Sequence, residues 1–131
     1  MLDFLLDFIN LGKLKFINYK MLTRTNYIGC LTAIYDTEFV GKAFMSPVRR
    51  RQDWILWLEI LSKTDKALSI NRPLSIYNNS NQSLSSNKLK LFKSTWYVYR
   101  KYLKYSYLKS SFSLFAYIYY YLKKKKLIKK T

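Results

Sequence analysis

Ten consecutive residues, Arg49-Arg50-Arg51-Gln52-Asp53-Trp54-Ile55-Leu56-Trp57-Leu58, constrain this chain more than any others. Three cations stop at a single acid, and the acid opens a stretch that is apolar on nearly every side. Trp54, Trp57, Leu58 and Leu61 recur at i, i+3, i+4 and i+7, the spacing of one helical face. Ile55, Leu56 and Ile60 fill the other faces, so a helix over residues 52–63 has to be nearly surrounded by protein. Such a helix cannot stand alone, and the rest of the chain must supply its neighbours.

Asp53 falls at the start of that helix, where the positive end of the macrodipole favours negative charge. Three guanidiniums close by in the sequence favour it further. Two readings follow. A carboxylate held charged at the mouth of a basic pocket suits a general base, and the same carboxylate suits a plain helix start. Arg49, Arg50 and Arg51 divide in the same way, between bidentate phosphate ligands and a solvated basic loop. Trp54 and Trp57 are able to stack on a ligand ring, but their helical spacing is more often that of core residues.

At 131 residues the chain is long enough for one modest domain, and half of it is apolar. The formal net charge is +17. It is uneven: the last acid is Asp65, and fifteen Lys and Arg follow it unopposed. That asymmetry points to an anionic partner for the C-terminal half, although a codon bias towards Lys, Asn, Ile, Tyr and Ser produces the same composition. Histidine is absent and Cys30 is the one cysteine, which excludes an intrachain disulfide, a Cys/His zinc site, and Ser-His-Asp or Cys-His catalysis. Cys30 itself reads as a buried inert thiol. With three glycines there is no Gly-rich phosphate loop. The acids Asp3 and Asp7 make the N-terminus a poor signal peptide. The apolar run at residues 112–122 is about half of the roughly 20 residues that a spanning helix needs, so no transmembrane segment is expected.

Along the chain, residues 1–27 read as one or two short helices with loops, with a helical turn at residues 18–22 that points Leu22 inward. Residues 28–35, rich in β-branched and aromatic side chains, read as a buried strand ended by Asp36. Residues 36–41 read as a turn with a helical start, and residues 44–47 as a loop closed by Pro47. Residues 67–70 and 74–77 read as two short strands flanking Asn71-Arg72-Pro73, and the Asn/Ser stretch 78–87 as a boundary loop. From Lys88 the chain turns helical and basic. Leu89, Phe92, Trp96, Tyr99 and Leu103 recur at helical spacing, and a second helix is expected over residues 108–126.

Taken in order, four pieces resemble the C-terminal half of family 2 glycosyltransferases of the GT-A fold, most of all bacterial enzymes that build lipopolysaccharide and capsule. They are Asn26-Tyr27-Ile28-Gly29-Cys30-Leu31-Thr32-Ala33, then Arg51-Gln52-Asp53-Trp54-Ile55-Leu56-Trp57-Leu58, then Leu74-Ser75-Ile76-Tyr77, then Gln82-Ser83-Leu84-Ser85-Ser86-Asn87-Lys88. The likeness spans roughly residues 15–125. It implies an α/β fold class, an α+β fragment: residues 1–85 as the acceptor-side portion of a GT-A domain and residues 86–131 as a basic, aromatic helical tail.

The resemblance also implies roles. Asp53 takes that of the base that deprotonates an acceptor sugar hydroxyl as it attacks the anomeric carbon of a nucleotide sugar. Gln52 stands where many relatives have Glu, and Arg50, Arg51, Gln52 and Trp54 become candidate substrate contacts. Such enzymes hold a divalent metal, Mg or Mn, through an Asp-x-Asp in a preceding nucleotide-binding half. No Asp-x-Asp occurs here, and Tyr77-Asn78 stands where relatives often have Tyr-Arg near a His. The expectation is therefore a chain without metal ligands or cofactor of its own, an acceptor-side part of a transferase inactive without a donor-binding half. The expected partners are a nucleotide sugar and a polysaccharide or lipid-linked acceptor, and the place the cytoplasm, peripheral on the inner membrane face.

Two other readings compete. One is an inactive remnant serving as a basic membrane-surface or interaction module, since the C-terminal helices interleave Tyr, Phe and Leu with Lys as interfacial helices do. The other is nucleic-acid binding, suggested by Arg100 to Lys104 beside Trp96, Tyr97, Tyr99 and Tyr102. No recognised nucleic-acid motif supports it, and so basic a chain binds DNA non-specifically in any case.

Overall fold

The computed structural model describes residues 16–70 and 87–128, with side chains as far as Leu122. The chain mixes helices with a small two-stranded sheet. It divides into two compact units, Met1–Pro47 with Gln52–Asn78 and Val48–Arg51 with Asn79–Thr131.

The first unit is organised by helix α3 (Gln52–Leu61) and the short elements that cover it. Strand β1 (Phe16–Ile17) leads into helix α1 (Tyr19–Leu22) through Asn18. Asn18 is extended, and its side chain accepts from the Met21 amide at 2.9 Å, a standard way to satisfy the free donors of a helix start. Helix α2 (Thr37–Val40) begins in the same way at Asp36, which accepts from Glu38 and Phe39. It stops at Gly41, whose φ of 82° is one that glycine adopts without strain. Helix α3 (Gln52–Leu61) buries Trp54, Ile55, Leu56, Trp57, Leu58, Ile60 and Leu61, as its all-round apolar pattern requires. Each such side chain contributes about 1.5–3 kcal/mol when removed from water. Strand β2 (Ala67–Leu68) then pairs antiparallel with β1, Phe16 opposite Leu68 and Ile17 opposite Ala67.

Helices α1 and α3 are joined by a buried bond: the indole N–H of Trp54 donates to the Leu22 carbonyl at 2.7 Å. That carbonyl belongs to the last turn of α1, where no intrahelical donor remains, and both residues are wholly buried. The inward position of Leu22 and the core placement of both tryptophans thus agree with the sequence pattern.

The strand expected over residues 28–35 is not formed. The segment is irregular, with Leu31 63% and Ile34 97% exposed, and Cys30 is exposed rather than buried. Two side chains compete with ladder pairing here. Asn26 Oδ1 accepts from the Ile28 amide at 3.1 Å, an Asx turn that uses a donor a strand would need. The Tyr35 hydroxyl accepts from Ala43 N at 3.2 Å and loops the chain back on itself. The strand expected at residues 67–70 is confined to its first two positions. The expected strand at 74–77 and the loop at 78–86 lie outside the described residues.

In the second unit, helix α4 (Lys88–Tyr97) starts at Asn87, which accepts from Lys90 N at 3.1 Å. It continues into a π-helical turn, Val98–Tyr102, in which Leu103 N donates to Val98 O at 2.8 Å. Lys104 takes a left-handed φ of 53° and ends the turn. Helix α5 (Tyr107–Ile128) follows, somewhat longer than the expected 108–126. The stripe expected on α4 is rotated: Leu89 is exposed, Phe92, Trp96 and Leu103 are half-buried, and the buried set is Leu91, Thr95, Val98 and Tyr99. The buried stripe is carried by Leu91, Thr95 and Val98, which the aromatic spacing does not mark, and shares only Tyr99 with the expected one. The wider π turn adds a residue and brings Val98 and Tyr99 inward together. Phe92 meets Tyr117 and Tyr121 of α5 edge-on, at 6.5 and 6.0 Å between centroids.

Two expected outcomes test this packing. Trp54 and Trp57 are both buried on α3, but the Trp57 indole N–H has no partner among the described residues. Trp54→Phe leaves the Leu22 carbonyl without that donor and is expected to lower unfolding free energy by about 1–3 kcal/mol more than Trp57→Phe, measured by urea denaturation. Tyr99 is buried, stacks on Tyr105 at 6.0 Å, and burial pushes its phenol far above the usual 10.0. Folding therefore favours the neutral phenol, so stability is intact below about pH 10 and falls above it, where the unfolded chain releases that proton first. In an alkaline titration followed by tyrosinate absorbance and circular dichroism, one tyrosine should ionise only as helicity is lost.

Candidate functional site

Asp53 sits in the first turn of α3 and is half-buried. Its Oδ2 accepts from Asn26 Nδ2 at 2.8 Å, while the other end of the same amide accepts from Ile28 N. Asn26 is thus gripped by the backbone and in turn fixes the carboxylate. Oδ1 makes no hydrogen bond among the described residues and is the oxygen left to meet an incoming proton. The acid and its holder are separated by 27 positions, so spacing gave no hint of the pair. Asn26 was part of the resemblance but had no role there.

Gln52 begins α3 and is half-buried. Trp54 presents no ring face to solvent, and its polar edge is engaged by Leu22. It serves the core, which corrects its candidacy as a sugar-stacking contact.

Arg51 is the most engaged of the three arginines. Its backbone has a φ of 65°, a left-handed conformation that costs a non-glycine residue free energy and persists only where surroundings impose it. The surroundings here belong to the second unit. Arg51 Nη2 donates to Thr95 Oγ1 at 3.1 Å and to the Tyr117 hydroxyl, with the guanidinium 5.2 Å from the Tyr117 ring centroid. Thr95 is wholly buried and donates on to the Leu91 carbonyl at 3.0 Å. This chain of bonds ties the segment Val48–Arg51 to both α4 and α5, so Arg51 acts as an anchor.

Arg49 and Arg50, by contrast, line a cleft with Val48, Lys93, Ser94 and Tyr97. Its lining includes three cationic side chains, which suit phosphate oxygens, while the Ser94 hydroxyl donates to the Lys90 carbonyl at 2.8 Å. Lys93, Ser94 and Tyr97 come from α4, more than 40 positions downstream, and only folding joins them to the basic run. Among the described residues no three acidic, His or Cys side chains gather to hold a metal ion. No described helix is long and apolar enough to cross a membrane.

Over most of its length the chain is similar to part of known glycosyltransferases. One is TuaG of Bacillus subtilis, assigned to teichuronic acid biosynthesis as a glycosyltransferase: 37% identical over 101 residues, 77% of this chain and 40% of that one. Another is the UDP-Glc:α-D-GlcNAc-diphosphoundecaprenol β-1,3-glucosyltransferase WfgD of Escherichia coli: 36% identical over 81 residues, 61% of this chain and 32% of that one. The chain therefore spans well under half the length of these relatives. Stretches of these lengths in a chain of 131 residues necessarily include Asp53. No family model and no solved structure matches the chain. The resemblance to glycosyltransferases read from the sequence is borne out.

The cleft generates one expectation of its own. Arg49→Ala with Lys93→Ala should weaken binding of inorganic pyrophosphate at least tenfold by titration calorimetry, with unchanged circular dichroism; Arg51→Ala should instead lower stability.

Proposed function

We propose that this chain is the acceptor-side part of a family 2, GT-A glycosyltransferase, working with a nucleotide-binding portion that its 131 residues do not contain. The observation that carries the reading is Asp53. It is the acid at the head of a buried helix, held at 2.8 Å by Asn26, inside a stretch similar to two bacterial glycosyltransferases.

In this reading the acceptor hydroxyl approaches Oδ1. As its oxygen attacks the anomeric carbon, its proton passes to the carboxylate and the nucleoside diphosphate departs. Asn26 keeps the acid in one rotamer, so that the proton meets it at a fixed place. Gln52, beside it, is a candidate contact to the acceptor. Arg49, Arg50 and Lys93 hold phosphate of the donor or of a lipid-linked acceptor, with Ser94 and Tyr97 completing the cleft. The product in this reading is a surface polysaccharide or lipopolysaccharide made on the cytoplasmic side, as the family resemblance implies; of the relatives, one is named for teichuronic acid biosynthesis and one for a diphosphoundecaprenol-linked sugar. The divalent metal of such reactions belongs to the nucleotide-binding portion.

The test is a chimera in which these residues replace the matching stretch of the Escherichia coli relative, assayed for UDP release from UDP-glucose with its lipid diphosphate acceptor. Asp53→Asn should lower kcat by about 10²–10⁴-fold with little change in KM. Asn26→Ala should lower it less. Full activity in Asp53→Asn would remove the base assignment.

A further inference from the structure

Helix α5 has two apolar faces, and only one is packed. Ser110 and Tyr117 are buried and Leu114 and Tyr121 half-buried on the side that meets Phe92. On the opposite side stand Leu108, Phe112, Phe115, Tyr119 and Leu122, exposed by 87, 77, 73, 63 and 52%. Their spacing is 4, 3, 4, 3, the repeat of a continuous helical seam. The stripe runs about 21 Å at 1.5 Å per residue. A contiguous row of large apolar side chains in water marks a surface that meets something else.

Charge decides between the candidate occupants. The second unit carries sixteen Lys and Arg, three at residues 49–51 and thirteen between Lys88 and Lys130, and no Asp or Glu. A second copy would bring together two helices that each carry Lys109 and the run Lys123-Lys124-Lys125-Lys126 in sequence, with no acid on α5 to offset them. An anionic lipid surface supplies both missing components, an apolar layer for the stripe and negative headgroups for the lysines.

We propose that α5 is a membrane-docking helix. It lies in the plane of an anionic bilayer with Leu108, Phe112, Phe115, Tyr119 and Leu122 in the headgroup–acyl boundary, while its other face stays on α4. This assignment rests on the exposed stripe and the charge of its unit, independently of the transferase reading.

The test is co-sedimentation of the whole chain at 0.15 M salt with vesicles of phosphatidylcholine, alone or with one-quarter phosphatidylglycerol. Wild type should bind the anionic vesicles at least tenfold more tightly than the neutral ones. Phe112→Ser with Phe115→Ser should lose at least tenfold on anionic vesicles with unchanged circular dichroism. Leu108→Ser with Tyr119→Ser should do the same, which guards against a fault peculiar to one pair. Phe115→Trp should show a blue-shifted emission on anionic vesicles. Undiminished binding by both double variants would overturn the proposal, leaving a purely electrostatic attraction. So would a lipid-free dimer in sedimentation equilibrium that either double variant dissolves, because the stripe would then belong to a second copy.

Discussion

A ten-residue helix with seven buried apolar side chains sets the terms for the first unit. Helix α3 has almost no solvent face, so its stability cannot come from its own hydrogen bonds and must come from what surrounds it. The Trp54–Leu22 bond shows how that dependence is met. A four-residue helix, α1, is too short to persist alone, and an indole from α3 supplies the donor that its last turn lacks. The apolar pattern at residues 54–61 therefore orders not only α3 but also the segment packed on it. Asp53 inherits a fixed backbone from that arrangement, because the turn that carries it is anchored by the residues that follow.

Local signals were legible where one residue's chemistry determined the outcome. Asn18, Asp36 and Asn87 each cap a helix with their own side chain, and each helix starts where such a residue predicts. The periodicity of α3 was equally plain. What failed was the inference from composition to pairing. Residues 28–35 have strand-like side chains, but a strand is a relation between segments, and Asn26 and Tyr35 gave this one other partners. Likewise, the inner stripe of α4 is set by Leu91, Thr95 and Val98, which the aromatic spacing did not mark.

The candidate site was legible in part for the same reason. Asp53 stood out because a lone acid between a basic run and an apolar helix is a local pattern. Asn26, Lys93, Ser94 and Tyr97 did not, because each reaches its place through the fold and carries no mark in its own neighbourhood. Arg51 shows the limit most sharply. In the sequence it is one of three equivalent cations. In the structure a left-handed backbone turns it to Thr95 and Tyr117, and the triplet separates into one anchor and two cleft residues.

That separation gives the basic run a physical logic. A guanidinium that accepts a strained backbone in exchange for buried partners cannot also be a mobile phosphate ligand, because leaving Thr95 and Tyr117 would expose the strain without compensation. Arg49 and Arg50 line the cleft, where Lys93 adds a third charge. The acids are divided more sharply than the cations: all seven lie in the first unit and none in the second, whereas the 24 Lys and Arg split eight to sixteen. Proton transfer needs a carboxylate, and phosphate binding needs cations free of carboxylates that would compete for them. Keeping every carboxylate out of the second unit leaves the cleft cations with no competing acid in their own unit, while the first unit retains Asp53.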